Sequence, residues 1–268
     1  MNFQGKVALV TGGSSGMGRA AAIAFAKYGA KVIVAARRED KGQDVVTQIC
    51  NAGGDAYFIK IDMANSDKIR SLIEQTVKHY GRLDFAFNNA GTEGKFAPIT
   101  ELSESDWEQT ISINLKAVWL CMKYEIEQML KQGSGGAIVN NSSWLAKGGL
   151  VGSTIYSASK GGLDGLVRPA ALEYASHNIR INNINPGIID TEMFRRFVHP
   201  DDAAAKPFIH HIPAHRLGTS EEVAQTVVWL CSDAASYITG QTISVDGGYA
   251  IPGHRVSGHG EIIGNGEM

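Results

Sequence analysis

Residues 6–36 read KVALVTGGSSGMGRAAAIAFAKYGAKVIVAA, and their order decides the fold. An apolar run at 6–11 ends in glycines, an alanine-rich run follows at 19–28, Gly29 closes it, and a second apolar run fills 31–36. Short apolar runs bounded by glycine suit strands buried on both faces of a parallel sheet, and the run between them suits the crossover helix. This is one βαβ unit. Its turn, residues 12–18 (GGSSGMG), opens straight into the helix. Free N–H groups and the helix dipole make such a turn a site for an anion. Gly12 makes the turn, Gly16 lets a pyrophosphate approach the backbone, and Gly18 lets helix and strand pack closely, with Ser14, Ser15 and Met17 in the same loop. The loop therefore reads as a dinucleotide site.

The end of the second strand speaks to which dinucleotide. An acid there would hold a ribose 2′-hydroxyl and repel a 2′-phosphate. The chain instead has Ala36, Arg37 and Arg38. A guanidinium binds phosphate through charge-assisted, often bidentate bonds, so NADP(H) is preferred and NAD(H) stays possible. Glu39 and Asp40 fall where the next helix starts, and Asp40 reads as the N-cap of a helix over 41–52. A third strand at 56–61 ends at Asp62 and Met63, where the acid can reach an adenine amino group or cap the following turn.

Further on, a helix is expected over 66–80, a strand over 83–87, and then NNAG at 88–91 with Asn89 beside a ligand. Residues 103–131 have helical periodicity, interrupted by Asn114 within SINLKAVWL. Asparagine competes for backbone bonds inside a helix, and a buried one needs a partner.

The stretch AIVNNSSWLAKGGLVGSTIYSASKGG, residues 137–162, begins as a strand and ends as a helix. Tyr156 and Lys160 are four residues apart, hence stacked on one helix face. A buried cation beside a phenol favours the phenolate and should pull the tyrosine down from about 10 toward working pH. Ser143, at the end of the preceding strand, can bond the same substrate oxygen. By itself such a pair is usually exposed decoration; its setting gives it weight.

A sixth strand is expected at 179–185, followed by PGIIDT at 186–191, a helix at 220–231 and a last strand at 241–245. Residues 193–215 read as an irregular, mobile lid, part of a lid spanning about 191–215. The histidines His199, His210, His211 and His215 match no usual ligand spacing, so no metal is expected. The alternation predicts an α/β, single-domain, doubly wound parallel sheet of about seven strands over 1–251, with helices on both faces. Residues 252–268, rich in Gly and His, form a flexible or subunit-docking tail.

The bulk numbers agree with this picture. With 19% charged residues and a formal net charge of −2, the chain gives no reason to expect nucleic acid or an anionic membrane as partner. No apolar run approaches the roughly 18 residues of a membrane span, and the N-terminus enters a strand without a signal-peptide layout. Cys50, Cys121 and Cys231 lie far apart, each expected as a small apolar helix residue, which fits a reducing compartment and a cytoplasmic location.

Seven motifs in order now carry a resemblance: TGGSSGMG at 11–18, NNAG at 88–91, Asn114, Ser143 thirteen positions before Tyr156, YSASK at 156–160, PGIIDT at 186–191 and VDGG at 245–248. Together they resemble the short-chain dehydrogenase/reductase family over residues 3–250. The enoyl-reductase branch spaces its tyrosine and lysine more widely and is set aside.

The resemblance implies that Tyr156 is the acid/base, that Lys160 holds the nicotinamide ribose and lowers the tyrosine, that Ser143 polarises the substrate carbonyl, and that Asn114 anchors a water in a proton relay through Lys160. It further implies that Gly12, Ser15, Gly16 and Gly18 line the pyrophosphate and adenosine side with Asp62 and Asn89, that Ile189 and Thr191 hold the carboxamide, and that Arg37 stands at the NADP-selecting position. A homotetramer built on the two longest helices is implied, with a dimer left open. Pro169 should kink the active-site helix. The substrate expected is a medium-sized apolar ketone or secondary alcohol, in a pocket from residues 92–96, 144–151, 188 and 193–197. An NAD-linked polyol or sugar dehydrogenase, a 3-oxoacyl-thioester reductase and a non-catalytic dinucleotide sensor are the competing readings.

Overall fold

The computed structural model describes residues 1–198 and 202–251. His199 and the expected tail at 252–268 lie outside the described residues. Seven strands form one wholly parallel sheet: β1 (Val7–Thr11), β2 (Lys31–Ala36), β3 (Asp55–Lys60), β4 (Phe85–Asn88), β5 (Gly136–Asn141), β6 (Ile179–Pro186) and β7 (Thr242–Val245), in the order β3-β2-β1-β4-β5-β6-β7.

Side chains alternate between the two faces, as the pleat requires. Ala8, Val10, Val32, Val34, Phe85 and Phe87 point into one core, covered by helices α1 (Gly16–Lys27), α2 (Glu39–Asn51) and α9 (Ser220–Cys231). Leu9, Ile33, Ala86 and Ile138 point into the other, covered by α3 (Asp67–Tyr80), α5 (Ala117–Gln132) and α6 (Thr154–Tyr174). The two cores bury the central strands β1, β2, β4, β5 and β6, which is why those strands are rich in apolar residues, while the edge strands β3 and β7 stay partly exposed.

The strand order reverses between β1 and β4, and a crevice opens at the strands' carboxyl ends at such a switch point. Register brings the motifs to one rim: Thr11 is opposite Asn88 and Asn88 opposite Asn140. The glycine turn, NNAG and the end of β5 are thus neighbours although far apart in sequence.

Several boundaries differ from expectation. The first helix starts at Gly16, directly on the glycine turn, three residues earlier than its alanine run suggested. The N-cap of α2 is Arg38, and Asp40 sits in the first turn instead, where its charge faces the positive helix end. The long helical stretch is three pieces: α4 (Glu104–Ile111), a π-helical segment Ser112–Lys116 and α5. Ser103 opens it with a reciprocal cap, its Oγ accepting from Asp106 N at 3.1 Å while Asp106 Oδ2 accepts from Ser103 N at 2.9 Å.

The expected irregular lid contains two short helices, α7 (Glu192–Phe197) and α8 (Asp202–His210), with Phe194 and Phe208 packed edge-to-face at 5.5 Å. Pro169 lies inside α6, which continues past it to Tyr174, with Val167 and Ala171 on either side buried in the second core. Of the cysteines, Cys121 and Cys231 are buried helix residues as expected, but Cys50 is exposed in the last turn of α2. Among the described residues no helix is long and apolar enough to cross a membrane, and no cluster of three metal-type ligands occurs.

Candidate active site

The crevice holds a cavity of about 600 Å³. At one end lies the glycine turn. Gly12 (φ +64°) and Gly16 (φ +50°) both adopt left-handed backbone. A side chain at Gly12 would meet Asn89 Nδ2 at 2.8 Å and Ala90 Cα at 2.9 Å, and one at Gly18 would overlap the Gly12 carbonyl oxygen. Gly18 thus serves helix–strand contact and does not line the cavity, whereas Gly12, Ser14, Ser15, Gly16 and Met17 do.

The turn is held from behind. The Thr11 hydroxyl accepts from Asn89 N at 3.0 Å and Ala90 N at 3.1 Å, and Asn89 Nδ2 donates to Thr11 O at 3.1 Å and Gly12 O at 3.3 Å. Asn89 therefore spends its amide on shaping the loop as well as bordering the cavity. Arg37, Arg38, Asp62 and Met63 line the same end. Arg38, rather than Arg37, reaches over the turn, donating to Ser15 Oγ at 2.5 Å. Asp62 Oδ1 accepts from Ala64 N at 3.1 Å, so the capping role and the place on the cavity wall coexist.

At the other end α6 brings Tyr156 and Lys160 onto the wall, and the end of β5 brings Ser143. The Tyr156 hydroxyl hydrogen-bonds Ser143. Lys160 Nζ donates to Asn141 O at 2.7 Å and stands 5.7 Å from the Tyr156 ring centre. Ser142 Oγ, donating to Lys160 O at 3.0 Å, ties the helix to the strand end.

The electrostatics correct one expectation. Tyr156 is not lowered: burial, the strongest influence, pushes it up to about 12, the Ser143 bond opposes this, and the Glu93 charge adds to it. Lys160 is itself buried, which pushes it down to about 8 against the pull of Asp164. The Lys160 ammonium, turned toward the Asn141 carbonyl and itself desolvated, does not outweigh the burial of the phenol.

Asn114 is wholly buried and does not line the cavity. Its Oδ1 accepts from Thr92 N at 2.8 Å, and its Nδ2 donates to Thr92 O at 2.8 Å and Ser159 Oγ at 3.2 Å. Those bonds explain why a polar residue is tolerated in the π-helical segment, a distortion that often marks functional sites. Gly91 is the spacer here, since a side chain on it would come within 3.2 Å of Asn114 Oδ1 and 3.8 Å of Lys160 Nζ. Ile189 and Thr191 lie on the wall between the two ends, and Thr191 also caps α7 by accepting from Phe194 N at 3.2 Å.

A protein-family model described as "Enoyl-(Acyl carrier protein) reductase" matches residues 12–250. A short chain dehydrogenase/reductase, astE, of Aspergillus oryzae is 38% identical over 256 residues, covering 93% of this chain and 97% of that protein. The chain is a short-chain dehydrogenase/reductase. A cyclohexanol dehydrogenase of an Acinetobacter species is 41% identical over 247 residues, covering 92% of this chain and 96% of the relative. The crystal structure of levodione reductase superposes with a TM-score of 0.89 at 33% identity, over 93% of this chain and 99% of that one. These relatives place this family member among oxidoreductases of alcohol- and ketone-type substrates, and the family binds NAD(P).

Between its two ends the cavity of this short-chain dehydrogenase/reductase is walled by Thr92, Phe96, Trp144, Leu145, Leu150, Ile188, Met193 and Phe194, as expected. Phe208 of the expected lid lines it too, and so do Gln109 and Ile113, which nothing in their local sequence marks; α4 and the π-helical segment carry those two there. Glu93 faces Tyr156 and pairs with Arg196 through two bonds of 2.7 and 2.9 Å. Burial alone would raise Glu93, but the Arg196 guanidinium, a backbone N–H and the Arg37 charge hold it below the ordinary carboxylate value.

Proposed function

We propose that the chain catalyses reversible oxidoreduction between a ketone and a secondary alcohol with a nicotinamide dinucleotide, preferring NADP(H). The observation that carries this reading is the Ser143–Tyr156–Lys160 constellation on the wall of the same cavity whose far end is a glycine cradle. The cradle fits a pyrophosphate, because it is a turn at the start of α1 in which Gly12 and Gly16 take left-handed backbone and Gly12 has no room for a side chain. Gly12, Ser14, Ser15, Gly16 and Met17 would hold the phosphates, Asp62 and Met63 the adenine side, Asn89 the adenosine ribose, Ile189 and Thr191 the carboxamide, and Tyr156 and Lys160 the nicotinamide ribose. Arg37 and Arg38 would receive a 2′-phosphate.

The bound nicotinamide supplies or accepts the hydride. The protein's part is to place and protonate the oxygen. Ser143 and Tyr156 bring two neighbouring hydroxyls to the cavity wall, so a carbonyl oxygen bound there would be oriented and polarised. Held neutral by burial, Tyr156 carries the proton that reduction requires. The Lys160 charge lies close enough to offset the negative charge left on the phenol once that proton has moved. Asn114 would anchor a water passing protons to Lys160 from outside. Phe96, Trp144, Leu145 and Ile188 favour an apolar substrate, and the cyclohexanol-oxidising relative supports a compact ring-bearing alcohol or ketone. The exposed Trp119 on α5 and Leu172 on α6 support a homo-oligomer, a tetramer by family resemblance, built on these helices.

Initial rates with NADPH and with NADH across a panel of cyclic and open-chain ketones test this reading. Turnover of cyclic ketones with a lower KM for NADPH is expected. Tight nucleotide binding without turnover of any ketone or secondary alcohol would leave a dinucleotide sensor instead.

A further inference from the structure

The end of β2 lacks an acid, yet an acid reaches its cations from across the crevice. Glu192, the first residue of α7, pairs through both carboxylate oxygens: Oε2 with Arg38 Nη1 at 2.8 Å and Oε1 with Lys41 Nζ at 2.6 Å. Arg38 spends its other terminal nitrogen on Ser15 Oγ, at 2.5 Å, in the glycine turn. The same guanidinium is therefore shared between the phosphate-binding loop and the lid helix.

We propose that Glu192 is a specificity-determining residue: its carboxylate competes with a cofactor 2′-phosphate for Arg38 and Lys41, so that the lid helix and the phosphorylated cofactor claim the same cations. This rests on reading the crevice as a dinucleotide site. Of the acids on their own helix, Glu39 pairs with Lys60 at 3.0 Å, and among the described residues the ion pairs of Arg38 and Lys41 go to Glu192 rather than to Asp40 or Asp44. Glu192 thus supplies, from 154 residues along the chain, the negative charge missing at Ala36.

The competition can go either way because each ion pair is weak. Arg38, Lys41 and Glu192 side chains are 44%, 48% and 48% exposed, and such pairs are readily exchanged. A phosphate dianion brings more charge and three acceptor oxygens to the same donors. With NAD(H), Glu192 keeps its partners and α7 stays tied to the β2–α2 corner. With NADP(H), the carboxylate gives way, and the Arg196–Glu93 pair remains to hold α7 across the crevice.

The test is equilibrium binding, read by nucleotide fluorescence, of NADPH and NADH to the wild-type chain and to Glu192→Gln, with melting temperatures matched first. Removing the competitor should tighten NADPH by about three- to tenfold and change NADH by less than about twofold. Glu192→Asp, too short to span both cations, should shift NADPH in the same direction by a smaller factor. Equal changes for both nucleotides, no change, or weaker NADPH binding would overturn the proposal. If the wild-type chain binds neither nucleotide, the dinucleotide reading of the crevice itself fails, and the proposal with it.

Discussion

The Lys160 ammonium donates to the Asn141 carbonyl at 2.7 Å, joining the active-site helix to the end of β5 inside the protein. Burial holds this lysine down at about 8 from an ordinary 10.5, so its charge is carried at a cost to the fold. Between those two values the unfolded chain binds the proton and the folded chain does not, so stability contributed by this group rises with pH across that window. Below pH 8 both states bind the proton and the full penalty applies. Lys160→Met should abolish this rise, on the order of 3 kcal/mol, in denaturant midpoints followed from pH 7.5 to 10.5. Parallel profiles for the two proteins would show that the lysine is not held down.

Tyr156→Phe removes the phenolic proton while keeping the ring against Phe96, 6.2 Å away between centres. We expect kcat to fall by about 10²- to 10⁴-fold, with cofactor dissociation constants weakened by no more than about tenfold for the lost ribose contact. Turnover within tenfold of wild type would assign the proton to another group.

Glu125 is fully buried in α5, with Oε2 accepting from Asn88 Nδ2 at 3.0 Å and no partner for Oε1 among the described residues. Burial pushes its carboxyl from 4.5 up to about 8, the Asn88 bond only partly offsetting it. A raised folded value means full stability below pH 4.5, lost progressively as pH climbs toward 8. Glu125→Gln, the same shape without the charge, should flatten that loss and melt above wild type at pH 9. A wild-type advantage at pH 9 would mean that the ionised carboxylate is welcome there.

Gly18→Ala would press a methyl group onto the Gly12 carbonyl and Asn89 Nδ2. Because one of these is backbone, the helix or the turn must move. We expect a loss of about 2 kcal/mol or more in urea unfolding and weaker binding of both nucleotides. An unshifted midpoint would show that α1 can retreat from β1 without cost.

How much could be read in advance follows from the range of each signal. The βαβ unit at 6–36 was legible because apolar period and glycine spacing are local, and the seven strands follow from the same pattern repeated. The Tyr156–Lys160 pair was legible because four residues make one helical turn. The direction of the tyrosine's shift was not, since it depends on how much of each group is buried and on where the ammonium points. Asn114 stands out in the sequence as a polar break in a helical run, but its partners Thr92 and Ser159 come from other segments. Glu192 carried no local sign, and only the crossing of α7 over the crevice gives it meaning.

The sequence by itself determined the alternation of strands and helices, the glycine cradle and the residues available for chemistry, because each depends on neighbours within a few turns of chain. Only the tertiary structure decided which carboxylate meets Arg38, which carbonyl holds Lys160 and how far burial moves each proton. Those depend on distances between segments far apart in the chain, and the energy of a charge is set by its surroundings rather than by its place in the sequence.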